Sequence, residues 1–362
     1  MLTIYQPEKV NINGNVRLQA KFEVSGLEDV LWYESDEKFG HFFVTEQVDA
    51  FLVGLLWLGL RKGENIKVNG PLSAKLFYSL NHHLIPLIAQ IYKYKQIKVL
   101  CDQLVSTPLP NEGAVGTGLS CGIDSLSTVF EHQGADIPEQ YKITHFTFFN
   151  TGSNEMMGSK EWQAKIFSER AEWSKACAKE LGKELIVVNS NINDVLKMSF
   201  VRTHTLRNIS ALLAMQKLFH VYYYSSGFQT LNAKFSQDSA SYDVISLPLL
   251  STESVTFYSA GSNYSRVQKT QIVSEFDLSY KYLNVCLFKI KNCGRCLKCK
   301  RTLLTLDVLG AMEKYKDIFN LKAFNRIKDS YVKEVIESRR RNIWYREIYT
   351  EMEKRNYLDN GS

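Results

Sequence analysis

The chain has 362 residues, of which 45% are hydrophobic and 23% are charged, which suits a globular protein of two or three domains. Its net charge of +6 is compatible with anionic ligands but too small to argue for a nucleic-acid-binding protein. No signal-peptide pattern is visible, and the longest apolar run, 50–60, is too short to cross a bilayer and predicts a buried helix. We therefore expect a cytoplasmic protein without a membrane partner.

The first 106 residues differ in character from the rest of the chain and predict a small α+β extension. The segment 106–116 carries two of the seven prolines and is the best candidate for a domain boundary. The predicted elements before it are strands at 17–24, 30–33 and 96–105 and helices at 45–60 and 72–92.

From residue 114 onwards, predicted strands alternate with predicted helices. Such alternation indicates an α/β fold with a parallel sheet, in which ligands bind at the C-terminal ends of the strands. We expect this domain to span 114–312 and to be followed by C-terminal helices over 313–362. The predicted strands are 114–119, 141–150, 184–190 and 220–227, and the predicted helices are 124–133, 160–181, 205–219, 300–312 and 321–356.

Small and polar residues crowd the turn between the first strand and the first helix of this domain, in LSCGIDSL at 119–126. Unpaired N–H groups at the helix start, the hydroxyls of Ser120 and Ser125 and the freedom of Gly122 suit a phosphate group. Asp124 could cap the helix or help to hold Mg²⁺, and an ordinary helix N-cap is the alternative interpretation. No G-x-x-x-x-G-K-[ST] motif occurs, which argues against a P-loop NTPase, and GTGLSC departs from the dinucleotide pattern at Cys121.

Four of the seven cysteines lie in CLFKIKNCGRCLKC, as Cys286, Cys293, Cys296 and Cys299. Thiolates at this spacing reach one tetrahedral Zn²⁺, and Gly294 allows the knuckle between them to turn tightly. Four thiolates without a histidine indicate a closed structural site, with redox disulfides or an iron–sulfur cluster as alternatives. A nucleic-acid-binding zinc module is less favoured, because no aromatic residues interleave the neighbouring cations, Arg295, Lys298, Lys300 and Arg301.

The loop and the cysteines together resemble the QueC-like 7-cyano-7-deazaguanine synthases, a family of PP-loop ATP pyrophosphatases. The family loop reads Ser-Gly-Gly-x-Asp-Ser, and Cys121 replaces its first glycine here. Arg207-Asn208, expected at a helix start, is similar to the family's Arg-Asn. SRVQKTQIV at 265–273 resembles a lysine-containing segment and places Lys269.

A further similarity lies in DSASYD at 238–243, where the family has Asp-x-x-x-Tyr-Pro-Asp-Cys. Tyr242 and Asp243 are retained, whereas the proline and the cysteine are missing. A carboxylate at Asp243 could accept hydrogen bonds from the N1–H and 2-amino groups of a guanine edge, and a turn aspartate is the alternative. The resemblance spans roughly 114–312 and covers neither 1–106 nor the C-terminal helices.

The resemblance implies a PP-loop domain of the adenine nucleotide alpha hydrolase (HUP) type that uses ATP, Mg²⁺ and Zn²⁺. The carboxylate of 7-carboxy-7-deazaguanine would attack ATP to form an acyl-adenylate, ammonia would give the amide, and a second ATP would dehydrate it to the nitrile. The implied catalytic residues are Ser120, Asp124, Ser125, Arg207 and Lys269. The implied nucleotide-binding residues are Ser120, Cys121, Gly122, Ile123, Asp124, Ser125 and Asn208, and the implied substrate-binding residues are Asp238, Tyr242 and Asp243.

The departures from the family pattern favour a divergent branch of the kind found in bacterial defence operons. There the nitrogen nucleophile could belong to a protein partner docked by 1–106, and we expect a homodimer. The alternatives are an authentic synthase of queuosine biosynthesis and a non-catalytic zinc-containing protein that binds nucleotides or nucleic acid. For single residues the alternatives are a surface position for Arg207, a solvated Lys269, and a tolerated or a nucleophilic Cys121. For His132 and His204 we expect surface positions or structural roles and no part in catalysis.

Overall fold

The computed structural model describes residues 1–153 and 158–359, and most of its strands join one 11-stranded sheet. The sheet order is β13-β12-β9-β10-β11-β4-β3-β1-β5-β7, with β2 paired to β3, and β6 and β8 form a separate pair. The strands are β1 Leu2–Tyr5, β2 Glu8–Ile12, β3 Asn15–Val24, β4 Leu27–Asp36, β5 Ile66–Asn69, β6 Leu72–Ser73, β7 Val99–Cys101, β8 Leu104–Val105, β9 Ala114–Gly118, β10 His145–Asn150, β11 Glu184–Ser190, β12 Phe219–Ser225 and β13 Thr256–Ala260.

Helices pack both on the strands of 1–106 and on the strands that follow residue 114. They are α1 Asp49–Lys62, α2 Ala74–Ser79, α3 Ile85–Tyr92, α4 Ile123–Glu131, α5 Lys160–Glu180, α6 Ile192–Leu196, α7 Phe200–Leu213, α8 Asp243–Leu249, α9 Arg266–Ser274, α10 Asp277–Tyr282, α11 Leu297–Val308, α12 Leu321–Asn325, α13 Lys328–Ser338 and α14 Ile343–Lys354. Among the described residues, none of these helices combines the length and the apolar character that crossing a membrane requires.

The five strands β13, β12, β9, β10 and β11 run parallel, which confirms the predicted α/β fold with a mostly parallel sheet. Strand β9 lies between β10 and β12. The chain adds β10 and β11 on one side of β9 and then crosses to add β12 and β13 on the other side. In open α/β sheets, such a reversal opens a crevice at the C-terminal ends of the strands. The loop 119–126 follows β9 directly and therefore borders this crevice.

The sheet continues without a break into the N-terminal segment. Strand β11 pairs antiparallel with β4, with Ser190 opposite Tyr33, and the remaining strands of 1–106 follow outward from there. Helix α1, the apolar run at 50–60, is buried as predicted and packs on α7 of the α/β part. Residues 1–106 thus extend the α/β sheet and share its apolar core.

Several predicted elements are shorter than expected or are shifted along the chain. The predicted strand 96–105 is divided into β7 and β8, and the predicted helix 205–219 is α7, which begins at Phe200 and ends at Leu213. The predicted helix 321–356 is divided into α12, α13 and α14. One cause is Asn342, whose side chain caps a new helix by accepting hydrogen bonds from the backbone N–H groups of Trp344 and Tyr345.

Candidate functional site

A cavity of about 680 Å³ lies at the C-terminal ends of the parallel strands, where the crevice was expected. The loop 119–126 forms part of its wall, together with residues after β10 and β12 and residues near the cysteine cluster. Among the described residues, its carboxylates are Asp124 and Asp243, and its Arg and Lys side chains are Arg170, Arg266, Lys298 and Arg301. Cations therefore outnumber carboxylates in the lining, which favours an anionic ligand.

The loop 119–126 leads into α4 without a side-chain cap among the described residues. The first-turn N–H groups of Ile123, Asp124 and Ser125 therefore have no partner within the helix, as at any helix start. The hydroxyls of Ser120 and Ser125 lie 3.2 Å apart, and Ser125 donates a hydrogen bond to the Gly122 carbonyl over 3.2 Å. The loop thus presents backbone amide donors at the positive end of a helix dipole, with the two hydroxyls beside them.

Cys121 adopts a left-handed conformation with φ 55°, where the family that the sequence resembles has glycine. Its side chain is fully buried, and its Sγ lies 3.9 Å from Ser174 Oγ on α5. The neighbouring Cys177 thiol and burial raise the pKa of Cys121 well above its ordinary value. A buried, protonated thiol is a poor nucleophile, so Cys121 fills space in this loop.

Asp124 is bound by two cations from α9. Arg266 Nη1 lies 2.7 Å from Asp124 Oδ2, and Lys269 Nζ lies 3.4 Å from Oδ1 and 2.5 Å from the Ser226 carbonyl oxygen. Although burial favours the neutral carboxyl, the charges of Arg266 and Lys269 hold the pKa of Asp124 below its ordinary value. Burial in turn lowers the pKa of Lys269, against the opposing effect of Asp124.

This arrangement bears on two expectations about the loop. Lys269 is not a solvated surface lysine, because its side chain is only 2% exposed. Each carboxylate oxygen of Asp124 contacts one cation from α9, and an Mg²⁺ ion beside Asp124 stays a prediction. Arg266 was not among the expected site residues. It stands three residues before Lys269 in the segment SRVQKTQIV, and this proximity is the sequence signal that points to it.

Lys298 and Arg301 also line the cavity, on the first two turns of α11. Lys298 is exposed to solvent, and Arg266 and Arg301 are close enough for their charges to repel it. Burial and the charge of Arg266 lower the pKa of Arg301 to about 10. These cations therefore raise the electrostatic potential of the cavity, and an anion bound among them would be stabilised. In the sequence, both residues stand out only as neighbours of the cysteines.

Asp243 lies at the start of α8 and also lines the cavity. It is 1% exposed and accepts a hydrogen bond of 2.7 Å from Thr205 Oγ1 at Oδ1, whereas its Oδ2 has no partner among the described residues. Burial raises the pKa of Asp243 to about 6, although the charge of His204 opposes this shift. A buried acceptor without a partner is costly, and a ligand that donates to it would offset that cost.

Aromatic and polar side chains surround Asp243 on this side of the cavity. His204 Nδ1 lies 2.9 Å from the Tyr224 hydroxyl, which also accepts a hydrogen bond of 3.1 Å from Asn208 Nδ2. Phe200, Tyr224, His204 and Asn208 all contribute to the lining. Asn208 was expected in the site and lines it, whereas His204 and Tyr224 were not expected there. The wall offers flat apolar surface beside hydrogen-bonding groups, which suits a planar heterocycle.

Arg207 does not occupy the place expected for a phosphate-binding residue. It lies in the interior of α7 rather than at a helix start, is fully buried, and does not line the cavity among the described residues. Its guanidinium donates to the carbonyl oxygens of Thr151 and Met198 and to Asn193 Oδ1, over 2.7–3.0 Å. The alternative of a surface arginine does not fit either, and these contacts give Arg207 a role in holding loops around α7.

Tyr242 and Asp238 also lie apart from the cavity wall in the described residues. Tyr242 is 1% exposed, and its hydroxyl lies 3.5 Å from that of Tyr92 in the N-terminal segment. The Asp238 side chain accepts a hydrogen bond from Ala240 N and lies 3.5 Å from His204 Nε2. Of the three expected substrate-binding residues, only Asp243 therefore faces the cavity.

The four cysteines of the knuckle come together as expected. The Sγ atoms of Cys286, Cys293, Cys296 and Cys299 all lie within 4.8 Å of one another. Sulfur atoms around a tetrahedral Zn²⁺ are about 3.8 Å apart, and Cys293 and Cys299 are separated by 3.9 Å. The cluster therefore fits a metal ion such as zinc, and because the described residues supply four thiolates and no histidine, a structural role is favoured.

The knuckle is packed against the C-terminal segment. Gly294 has φ 78°, and a Cβ at this position would clash with the Asn320 carbonyl oxygen, so no larger residue fits. Asn292 Oδ1 accepts hydrogen bonds from the backbone N–H groups of Val285 and Cys286, which shapes the approach to the cluster. Cys286 also lines the cavity, so the cysteine cluster fixes part of the cavity wall.

Comparisons of the chain with models of protein families, with curated proteins and with solved structures find no match.

Proposed function

We propose that the protein is an ATP-dependent enzyme that adenylates the carboxylate of a 7-deazaguanine-type substrate and transfers the acyl group to a nitrogen nucleophile. The single observation that carries this proposal is the distribution of positive and negative charge along the lining of one cavity. Cations and the start of α4 lie in one part of it, and the buried Asp243 carboxylate lies in another, with an oxygen that has no partner among the described residues. A nucleotide phosphate and a planar base with adjacent N–H donors match these two parts.

In the proposed first step, a carboxylate oxygen of the substrate attacks the α-phosphorus of ATP. The bond from that phosphorus to the bridging oxygen breaks, and pyrophosphate leaves with the electron pair. Donors for the charge that develops on the phosphates would come from the first-turn N–H groups of α4, from the Ser120 and Ser125 hydroxyls and from Arg266. Asp124 holds Arg266 and Lys269 in place, which makes it a positioning residue.

In the proposed second step, a nitrogen nucleophile attacks the acyl carbon, loses a proton to solvent, and expels AMP with the electron pair of the acyl–oxygen bond. Ammonia would give a primary amide, and an amine on a protein would give a conjugate. Throughout, Asp243 Oδ2 would accept a hydrogen bond from the guanine-type edge, and the aromatic rings of Phe200 and Tyr224 would flank the base. The cysteine cluster takes no part in these steps.

The experiment that tests the proposal is mass spectrometry of a reaction containing ATP, Mg²⁺, 7-carboxy-7-deazaguanine and ammonium. We expect AMP and pyrophosphate to form only when the deazaguanine is present. An amide without a nitrile supports the divergent ligase, and a free nitrile supports the synthase of queuosine biosynthesis. Absence of AMP with every nitrogen nucleophile tried would refute adenylation and leave the non-catalytic alternative.

Substitution of Asp243 tests the assignment of the base-binding part. In Asp243→Asn the amide offers a donor where the base needs an acceptor, so we expect KM for the deazaguanine to rise by roughly 10- to 100-fold, the usual cost of a lost charge-assisted hydrogen bond. The KM for ATP should change little. Asp29→Asn, an exposed position on β4, is the matched control. Equal KM values for the deazaguanine in wild type and Asp243→Asn would refute this assignment.

A further inference from the structure

The C-terminal helix α14 contacts three elements that line the cavity. The Trp344 ring lies beneath the Arg301 guanidinium of α11, 4.5 Å from ring centroid to Cζ. The same ring stacks on Phe228 after β12, with centroids 5.7 Å apart and planes at 29°. Glu347 Oε2 accepts a hydrogen bond of 2.8 Å from Arg266 N at the start of α9. Helix α14, which lies outside the span of the family resemblance, therefore contacts both Arg266 and Arg301 of the cavity lining.

The two cations on α11 differ from Arg266 in how their charges are balanced. Asp124 pairs with Arg266 and Lys269, whereas no ion pair between described residues includes Arg301 or Lys298. The contact of Arg301 with the Trp344 face orients the guanidinium without pairing it directly with a carboxylate, and the charges of Asp124 and Glu347 still act on it. Planar guanidinium groups held in this way suit bidentate binding of phosphate oxygens.

We propose that Arg301 and Lys298 form a second anion subsite, which takes the terminal phosphates of the nucleotide and the pyrophosphate that they become, and that Trp344 positions it. This inference rests on the proposed function. The loop 119–126 and Arg266 then contact the phosphates from the start of α4, and the α11 subsite contacts the terminal ones. Trp344 acts through Arg301 and is a positioning residue, whereas Glu347 supports Arg266.

The test is calorimetry of the full-length protein with inorganic pyrophosphate and, separately, with AMP. In Arg301→Gln we expect the affinity for pyrophosphate to fall by about 10- to 100-fold, because a charge-assisted contact is lost. In Trp344→Ala we expect a fall of roughly 3- to 30-fold, the range of a desolvated cation–π contact, with AMP affinity unchanged. Trp344→Phe should restore most of the affinity for pyrophosphate, since a ring face remains.

The matched control is Trp32→Ala, which removes the same kind of contact, 4.1 Å from Arg17, on the N-terminal strands. It should leave both affinities unchanged. The subsite is overturned if Arg301→Gln binds pyrophosphate as wild type does, or if wild type does not bind pyrophosphate. The positioning role of Trp344 is overturned if Trp344→Ala weakens AMP and pyrophosphate equally, or if Trp344→Phe restores nothing. Pyrophosphate binding without AMP formation from ATP would refute the proposed function and leave the subsite standing.

Discussion

Asp124 shows that the position of an aspartate in a loop motif does not determine its role. From the sequence, it could be a helix cap, a magnesium ligand or a catalytic group. The structure surrounds its carboxylate with Arg266 and Lys269, of which Lys269 is nearly inaccessible to solvent. A buried ammonium group requires a compensating charge, so Asp124 stabilises the site as well as shaping it.

This environment gives a prediction for Asp124→Ala. The substitution leaves Lys269 buried without its counterion, so we expect the free energy of unfolding to fall by on the order of 3 kcal/mol at pH 7. The pKa of Asp124 is held low in the folded state, so its contribution to stability is present above its ordinary pKa and is lost as the pH falls. The difference between the two proteins should therefore shrink in acid. Urea unfolding at several pH values measures it.

The control for this prediction is Glu139→Ala, which removes a partner from the exposed pair with Lys142, where the glutamate side chain is 85% accessible. We expect a change within about 0.5 kcal/mol, as for other exposed pairs. If Asp124→Ala is no more destabilising than Glu139→Ala, the ion pairs around Asp124 do not stabilise the fold.

At the scale of elements, the segment that carries the four cysteines packs against the C-terminal part of the chain and leads directly into α11. The turn at Gly294 closes against Asn320, and Asn292 forms an isolated bridge with Phe319. Helix α11, which carries Lys298 and Arg301, begins one residue after Cys296. The position of these cations therefore depends on the same residues that bring the thiolates together.

We predict that Cys296→Ser lowers both metal content and stability. Loss of one of four thiolates weakens a closed tetrahedral site, and metal binding to such a site contributes directly to the free energy of folding. Elemental analysis should show less zinc per chain, and the melting temperature should fall. Cys101→Ser, at a cysteine remote from the cluster in sequence and absent from it in the structure, is the control. A Cys296→Ser protein with wild-type zinc content and melting temperature would show that the cluster is not a structural metal site.

At the scale of the whole molecule, a buried polar network joins the N-terminal segment to the α/β part. Asp49 on α1 is fully buried and accepts hydrogen bonds of 2.9 Å from Ser73 N and from Gln216 Nε2. Thr252 Oγ1 donates to Gln216 Oε1 over 2.6 Å, which completes the network. Burial raises the pKa of Asp49 to about 6, although these hydrogen bonds oppose the shift.

The raised pKa of Asp49 predicts a pH dependence of stability. The folded state favours the protonated carboxyl, so this contribution is fully present below pH 3.8 and is lost as the pH rises through about 6. In Asp49→Asn the group stays neutral, and Gln216 can turn its amide to satisfy it. The unfolding free energy of wild type should therefore fall relative to the variant by up to about 3 kcal/mol between pH 4 and 7. Other titrating groups cancel in this difference, and a flat difference would contradict the assignment.

The sequence by itself determined the features that depend on local pattern. The alternation from 114 onwards predicted the mostly parallel sheet, the spacing of the four cysteines predicted a metal cluster, and the continuous apolar run predicted a buried helix, because periodicity and short ligand spacing act over a few residues. The loop 119–126 was likewise located at a strand end. Its role in phosphate binding stays a prediction.

Only the tertiary structure decided which distant residues meet. Helix α9 brings Arg266 to Asp124, 142 positions earlier, and α14 brings Trp344 to Arg301. The burial of Arg207 likewise depends on neighbours that other elements supply, as does the Asp243 oxygen that lacks a partner within 1–153 and 158–359. Burial, charge compensation and cavity shape depend on contacts between segments far apart in the chain. A local sequence pattern therefore does not specify them.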